Sequence, residues 1–168
     1  LLQLKSGKMV YPRDAEKLKQ VINSELQKRG MPEEARIFCE LLYMTDESWQ
    51  DTVESYLGSL RFHVLVPPRY YQVAKEVFVR MGREVGHAGL VDTIGLERDY
   101  HKAEFPEGDF LVGKIERKNP YARMYIKFLL KDTVCCDQES DLEQYRRSVT
   151  KDLLRYQNYC LIRRDKTE

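Results

Sequence analysis

Val53-Glu54-Ser55-Tyr56-Leu57-Gly58, the β-rich run Arg61 to Val66 with Val64-Leu65-Val66 at its end, Pro67-Pro68, and Tyr70 to Met81 together decide the fold class. Trp49, Val53, Tyr56 and Leu57 make one helical face, which Thr45 or Asp46 can cap and Gly58 can end in a left-handed conformation. The β-branched and aromatic residues of Arg61 to Val66 favour a strand, and the two prolines break it. Val73, Ala74, Val77 and Phe78 then return to helical spacing. Short strands alternating with helices predict an α/β, mixed α+β, architecture of small mixed sheets flanked by helices.

Upstream, Tyr11-Pro12 opens a segment in which Ala15, Leu18, Val21, Ile22 and Leu26 recur at helical spacing, and Gly30 supplies a stop. The spacing predicts a helix of about four or five turns. Ala35 to Met44 is apolar without a clear helical period, so Ile37, Phe38, Leu41, Leu42 and Tyr43 read as a buried strand, with a helix as the alternative. Downstream, Ala88 to Thr93 reads as a short strand, and the polar stretch Glu97 to Asp109, with Pro106 and Gly108, as a loop. Phe110 to Ile115 reads as a strand, and Pro120 opens a helix carrying Tyr121, Met124, Tyr125, Phe128 and Leu129. Thr133 to Cys136 reads as a buried strand, Leu142, Tyr145 and Val149 as one more helix, and Leu153 to Ile162 as a hairpin turning at Gln157-Asn158. Trp49 to Val77 and Tyr121 to Val149 follow the same element order, which suggests an internal duplication, although such an order also recurs by chance in doubly wound folds. The expected organisation is an N-terminal helical segment or coiled-coil stub over 1–30, then a globular body over 31–168 with two similar lobes, near 31–96 and 109–168.

A chain of 168 residues fits one domain with a sizeable core. Its 28 Lys plus Arg against 27 Asp plus Glu leave a net charge of +1, so any attraction to nucleic acid or anionic lipid needs a local patch. Cys39, Cys135, Cys136 and Cys160 show no paired CxxC spacing, and each lies in an apolar stretch where cysteine behaves as a small hydrophobe. No apolar run approaches the roughly 20 residues that span a bilayer, and Leu1 to Val10 lacks the order of a signal peptide. A soluble, cytoplasmic protein without a membrane partner is expected. Starting without Met and ending in Arg163-Arg164-Asp165-Lys166, the chain reads as a piece of a longer polypeptide.

Chemistry is sparse. No GxxxxGK followed by Ser or Thr occurs, and Gly82, Gly86, Gly89 and Gly95 follow a helix at irregular spacing instead of bridging a strand to a helix. His63 alternates with Phe62 and Val64 and reads as a surface or half-buried residue, while His87 and His101 lie in loop-like stretches near carboxylates. None of the three forms HExxH or a paired ligand set, so no metal site is expected. Cys135 and Cys136 would point to opposite faces of a strand as packing residues. No serine sits in a GxSxG elbow, and Glu33-Glu34 and Glu139 with Asp141 fall where exposed caps and loops are expected. No catalytic residue and no cofactor is assigned. Near the C-terminus Arg146, Arg147, Lys151 and Arg155, interleaved with Tyr145, Tyr156 and Tyr159, form a candidate DNA contact. Solvated faces of a helix and hairpin are the other reading, and Asp137, Glu139, Asp141 and Glu143 just upstream weaken the patch.

The order Val53-Glu54-Ser55-Tyr56-Leu57-Gly58, strand Val64-Leu65-Val66, helix around Ala74 resembles the hinge domains of SMC-type ATPases. The opening Gly7 to Pro12 with its helix, Trp49, and Val149-Thr150 resemble more narrowly the central region of the MukB, MksB and Wadjet group. This resemblance implies a non-catalytic dimerisation domain at the fold-back of a long coiled coil, with ATPase heads at the far ends of the parent protein. It also implies a homodimer, other subunits of an SMC-like complex as partners of the full-length protein, weak DNA contact in some members, and a role in chromosome segregation or plasmid defence. The chain departs from well-known hinges in lacking their compact glycine-rich interface motif. Gly89, Leu90 and Val91 at the glycine-punctuated strand, and Tyr156, Tyr159 and Leu161 on the hairpin, are the candidate dimer interface, because unpaired strand edges are templates for association. A small α/β enzyme with an unrecognised site and a stand-alone nucleic-acid-binding domain are the alternatives.

Overall fold

A computed structural model of the chain describes residues 2–3 and 11–165. Gly7 to Val10 and Lys166, used above, lie outside the described residues. In chain order the elements are β1 (Leu2–Gln3), α1 (Arg13–Lys28), β2 (Arg36–Ile37), β3 (Tyr43–Met44), α2 (Gln50–Leu57), β4 (Val64–Leu65), α3 (Tyr71–Met81) and α4 (Thr93–Tyr100). They continue with α5 (Pro120–Leu130), β5 (Val134–Cys135), β6 (Arg147–Val149), β7 (Leu154–Gln157) and β8 (Cys160–Arg163). The expected mixed α+β architecture is present, although most strands are only two residues long and several 3-10 turns stand between them.

The α1 helix buries the stripe Ala15, Leu18, Ile22 and Leu26 against β2, β4 and α3, in a cluster that also holds Val64, Val66, Ala74 and Val77. Asn23 fastens the chain after this helix: its amide donates to the Ala35 carbonyl at 3.2 Å, and its carbonyl accepts the Ala35 N–H at 2.8 Å. The second and larger cluster gathers Phe38, Leu42, Trp49, Val53, Leu111, Ile115, Ile126 and Leu130.

β4 is central to a small mixed sheet, antiparallel to β2 through Arg36↔Leu65 and Ile37↔Val64, and bridged in parallel to Leu90. Elsewhere β1 pairs with β3, while β5-β6-β7-β8 form a four-stranded sheet that is parallel between β5 and β6 and antiparallel beyond.

Several expected strands are shorter, each for a physical reason. In Ala35 to Met44 a 3-10 turn, Phe38–Leu41, separates two short strands that pair with different partners, β2 with β4 and β3 with β1. Gly58–Phe62 is a 3-10 turn that carries Arg61 inward to Glu54, leaving only Val64–Leu65 of the Arg61 to Val66 run as strand. Within Phe110 to Ile115 a 3-10 turn, Leu111–Lys114, stands between isolated bridges, Phe110↔Val134 and Met44↔Ile115.

Other differences concern element type. The Ala88 to Thr93 strand is reduced to the Leu90 bridge, and α4 replaces the start of the expected polar loop. Asp92 nucleates α4 by accepting the Gly95 N–H at 2.9 Å, and a Cβ at Gly95 would meet Asp92 Oδ2 at 2.6 Å, so glycine admits the cap. The helix expected through Leu142, Tyr145 and Val149 is a 3-10 turn, Glu139–Gln144, followed by β6. Pairing on both sides, with β5 and β7, holds Arg147–Val149 extended, and the Ser148 hydroxyl donates to the Leu142 carbonyl at 2.7 Å. The hairpin turns at Asn158-Tyr159, one residue later than expected, with φ of 56° and 60°.

Asn119 caps α5 through the Tyr121 and Ala122 N–H groups, and Pro120 opens it as expected. It ends at Lys131 with φ 53° and ψ −137°, nearly the geometry of Gly58 at the end of α2, φ 54° and ψ −135°. A lysine there bears a strain that glycine escapes.

Candidate self-association surface

His63, just before β4, and Tyr125, on α5, meet beside the Leu90 bridge: His63 Nδ1 lies 3.0 Å from the Tyr125 hydroxyl. Phe38 meets the Tyr125 ring edge-on at 4.7 Å and 62°, while Phe128, one helical turn on from Tyr125, stacks at 6.5 Å and 9° and meets Tyr100 at 5.7 Å and 81°. Gly89 presses its backbone on the imidazole so closely that an added Cβ would stand 2.7 Å from the ring. A cavity of about 360 Å³ remains, bordered by Gly89, Leu90, Val91, His63, Tyr125 and Phe128, with the carboxylates Asp92 and Asp99 also on its wall.

Burial pushes the Tyr125 hydroxyl up to about 12 and holds the His63 imidazole below its ordinary 6.5. A histidine with a depressed native value contributes stability that is complete above 6.5 and is lost as pH falls toward and through the native value. Thermal unfolding followed by circular dichroism will show a melting temperature that declines below pH 6.5, and His63→Gln will flatten that decline. An unchanged pH slope in the variant places the acid sensitivity elsewhere.

The six candidate interface residues divide between two sheets. Leu90 bridges Val64, Gly89 O accepts the Val64 N–H and the Val91 N–H donates to Val64 O, both at 2.9 Å, so this segment is the margin of the β4 sheet. On the other sheet β8 is the outermost strand, with no further strand beyond it among the described residues. Tyr159 is 96% exposed and Leu161 50%, whereas Tyr156 packs against the small cluster of Cys136, Leu142 and Leu154.

Of the four basic candidates, Arg147 and Arg155 have partners within the chain. Arg147 is ion-paired to Asp132 at 2.9 Å, and Arg155 stacks on Tyr56 at 3.7 Å and donates to Gln157. Arg146 and Lys151 are exposed, with the Lys151 amine 5.4 Å from the Trp49 ring centre. A cationic group missed in the sequence surrounds Phe105, where Arg117, Arg123 and Lys127 lie 4.5, 4.8 and 5.8 Å from the ring centre. The i,i+4 spacing of Arg123 and Lys127 on α5 was its visible half; Phe105 arrives from a distant loop.

Cys135 and Cys136 do face different clusters, as their adjacency on a strand requires. Cys160, expected among apolar neighbours, is instead exposed, because β8 has no layer covering that side. Among the described residues no three or more His, Cys, Asp or Glu side chains are placed to hold a metal ion, and no helix is long and apolar enough to cross a membrane.

No protein-family model matches the chain, and no curated protein matches it significantly. Solved structures do. The Pyrococcus furiosus SMC protein hinge domain aligns over 89% of this chain and 84% of its own, with a TM-score of 0.61 and 21% identity. An asymmetric dimer of the Geobacillus stearothermophilus SMC hinge domain contains a chain aligned over 89% of this one and 73% of its own, at 0.56 and 17%. A chain of the folded elbow of cohesin aligns over 89% of this one and 23% of its own, at 0.65 and 18%. The mixed α+β fold described above is therefore that of SMC hinge domains.

Proposed function

We propose that this chain, having the fold of an SMC hinge domain, is a non-catalytic homodimerisation domain of a cytoplasmic SMC-like ATPase of the MukB, MksB and Wadjet group. The observation that carries this reading is a pair of open strand margins on one molecule. β8 ends one sheet, and Leu90 pairs with Val64 on one side only among the described residues. Two such margins on each of two copies can pair reciprocally under a twofold axis, each satisfying backbone donors and acceptors of the other. In this reading residues 1–30 lead from coiled coil into the lobes 31–96 and 109–168, and nucleotide binds elsewhere in the parent protein. The parent organises DNA in chromosome segregation or plasmid defence through its other subunits, with Arg146, Arg147, Lys151 and Arg155 making weak, sequence-independent contact.

Cys160 provides the test. It is the one exposed cysteine, on β8 itself, while Cys39, Cys135 and Cys136 are buried, with burial pushing Cys39 up to about 11 and Cys135 to about 12. Maleimide labelling of the native protein therefore reports on β8 alone. Light scattering will give twice the monomer mass of 19.9 kDa at high concentration, and Cys160 labelling will slow in step. A monomer mass at every concentration removes the reading; a dimer whose Cys160 labels at the monomer rate places the interface away from β8.

A further inference from the structure

The hairpin tip is built against its own stability. A two-residue turn with positive φ at both positions favours Asn-Gly, because glycine accepts left-handed backbone without cost. Here the second position is Tyr159, at φ 60°, with its ring almost wholly in water. An aromatic side chain therefore bears both backbone strain and hydration at a turn position where glycine would be preferred. Leu161 adds a half-exposed apolar side chain two residues on. The Tyr159 ring gains little packing within the monomer, and a rigid tyrosine is the kind of side chain that anchors an interface.

The same molecule carries an apolar cavity that nothing in it fills. The cavity beside His63 holds about 360 Å³, room for one aromatic side chain, and Phe128 on its wall is itself 43% exposed. Asp92 and Asp99 lie on that wall, Asp99 paired to Arg98 at 2.9 Å, and the chain following the tip carries the exposed Arg163, paired to Asp152 at 3.4 Å, and Arg164. Tip and cavity thus match in shape class, and both are present on each copy, as a reciprocal contact requires.

We infer that Tyr159 of one copy inserts into the His63–Leu90–Phe128 cavity of a second copy, and reciprocally. This inference rests on the homodimer reading and adds to edge pairing a side-chain anchor and its socket. Tyr159 stands where glycine would fold better because it holds the two copies together.

The test is Tyr159→Gly, for which the inference requires effects of opposite sign. At dilutions where both proteins are monomers, Tyr159→Gly will melt about 2–4 °C higher than the parent chain. At higher concentration its self-association, measured by sedimentation equilibrium, will be weaker by about thirtyfold or more. Phe128→Ser, on the exposed socket wall, will weaken association similarly without the gain in melting temperature. A Tyr159→Gly chain that dimerises as tightly as the parent overturns the anchor while leaving the edge-paired homodimer standing. Weakening by Tyr159→Gly but not by Phe128→Ser overturns this socket. A Tyr159→Gly monomer that melts no higher overturns the trade of stability for binding. A parent chain that is monomeric throughout overturns both the homodimer and the anchor.

Discussion

Arg61→Met will destabilise the protein by about 3–5 kcal/mol in equilibrium urea unfolding, among the largest single effects open to this chain. Glu54 and Arg61 are only 2% and 5% exposed, and Arg61 Nη1 donates to Glu54 Oε2 at 3.2 Å. Gln50 donates to the other carboxylate oxygen at 2.9 Å, and the guanidinium lies 4.6 Å from the Phe62 ring centre. Methionine keeps the length and packing of the arginine stem but leaves a carboxylate at a site from which water is almost excluded. Combining Arg61→Met with Glu54→Leu removes both charges and will restore most of the lost stability, because the desolvation cost disappears with the ions. A single variant losing less than about 1 kcal/mol would show that the pair is screened as a surface pair is.

Phe38→Ala will cost about 3–5 kcal/mol in the same measurement. The ring is fully buried, meets Tyr125 edge-on at 4.7 Å, and lies in the larger cluster, while its backbone N–H donates to the His63 carbonyl at 2.8 Å. Emptying this site also withdraws the prop from the Tyr125 ring, whose hydroxyl meets His63, so the acid sensitivity assigned to His63 will change with it. Phe38→Leu keeps most of the volume and will cost about 1 kcal/mol, chiefly the aromatic pair. Equal losses for Ala and Leu would mean that the site collapses around the smaller side chain, contrary to the packing described.

What could be read in the chain was whatever local chemistry enforces. The buried stripe of α1, the stop at Gly58, the proline break before α3, the Pro120 opening of α5 and the division of Cys135 from Cys136 all rest on spacings shorter than about two helical turns. The Asp92 cap of α4 was local too, but Gly95 and the polar residues after it masked a helix of only two turns.

Tertiary structure alone decided the rest. β6 is a strand because β5 and β7 hold it on both sides, although Leu142, Tyr145 and Val149 keep helical spacing. Of the candidate interface, the sequence could mark apolar residues near glycines and in a hairpin, yet it could not tell that Tyr156 packs inward while Tyr159 stands in water. It could not assemble the cavity either, whose His63, Leu90, Tyr100 and Phe128 come from four separate segments. Periodicity encodes which face of an element is apolar, and so this sequence by itself determined the helices α1, α2, α3 and α5 and the mixed α+β class. Which apolar residues a neighbour covers and which stay open to a second molecule depends on contacts distant in the chain, and short two-residue strands carry too little periodicity to announce them.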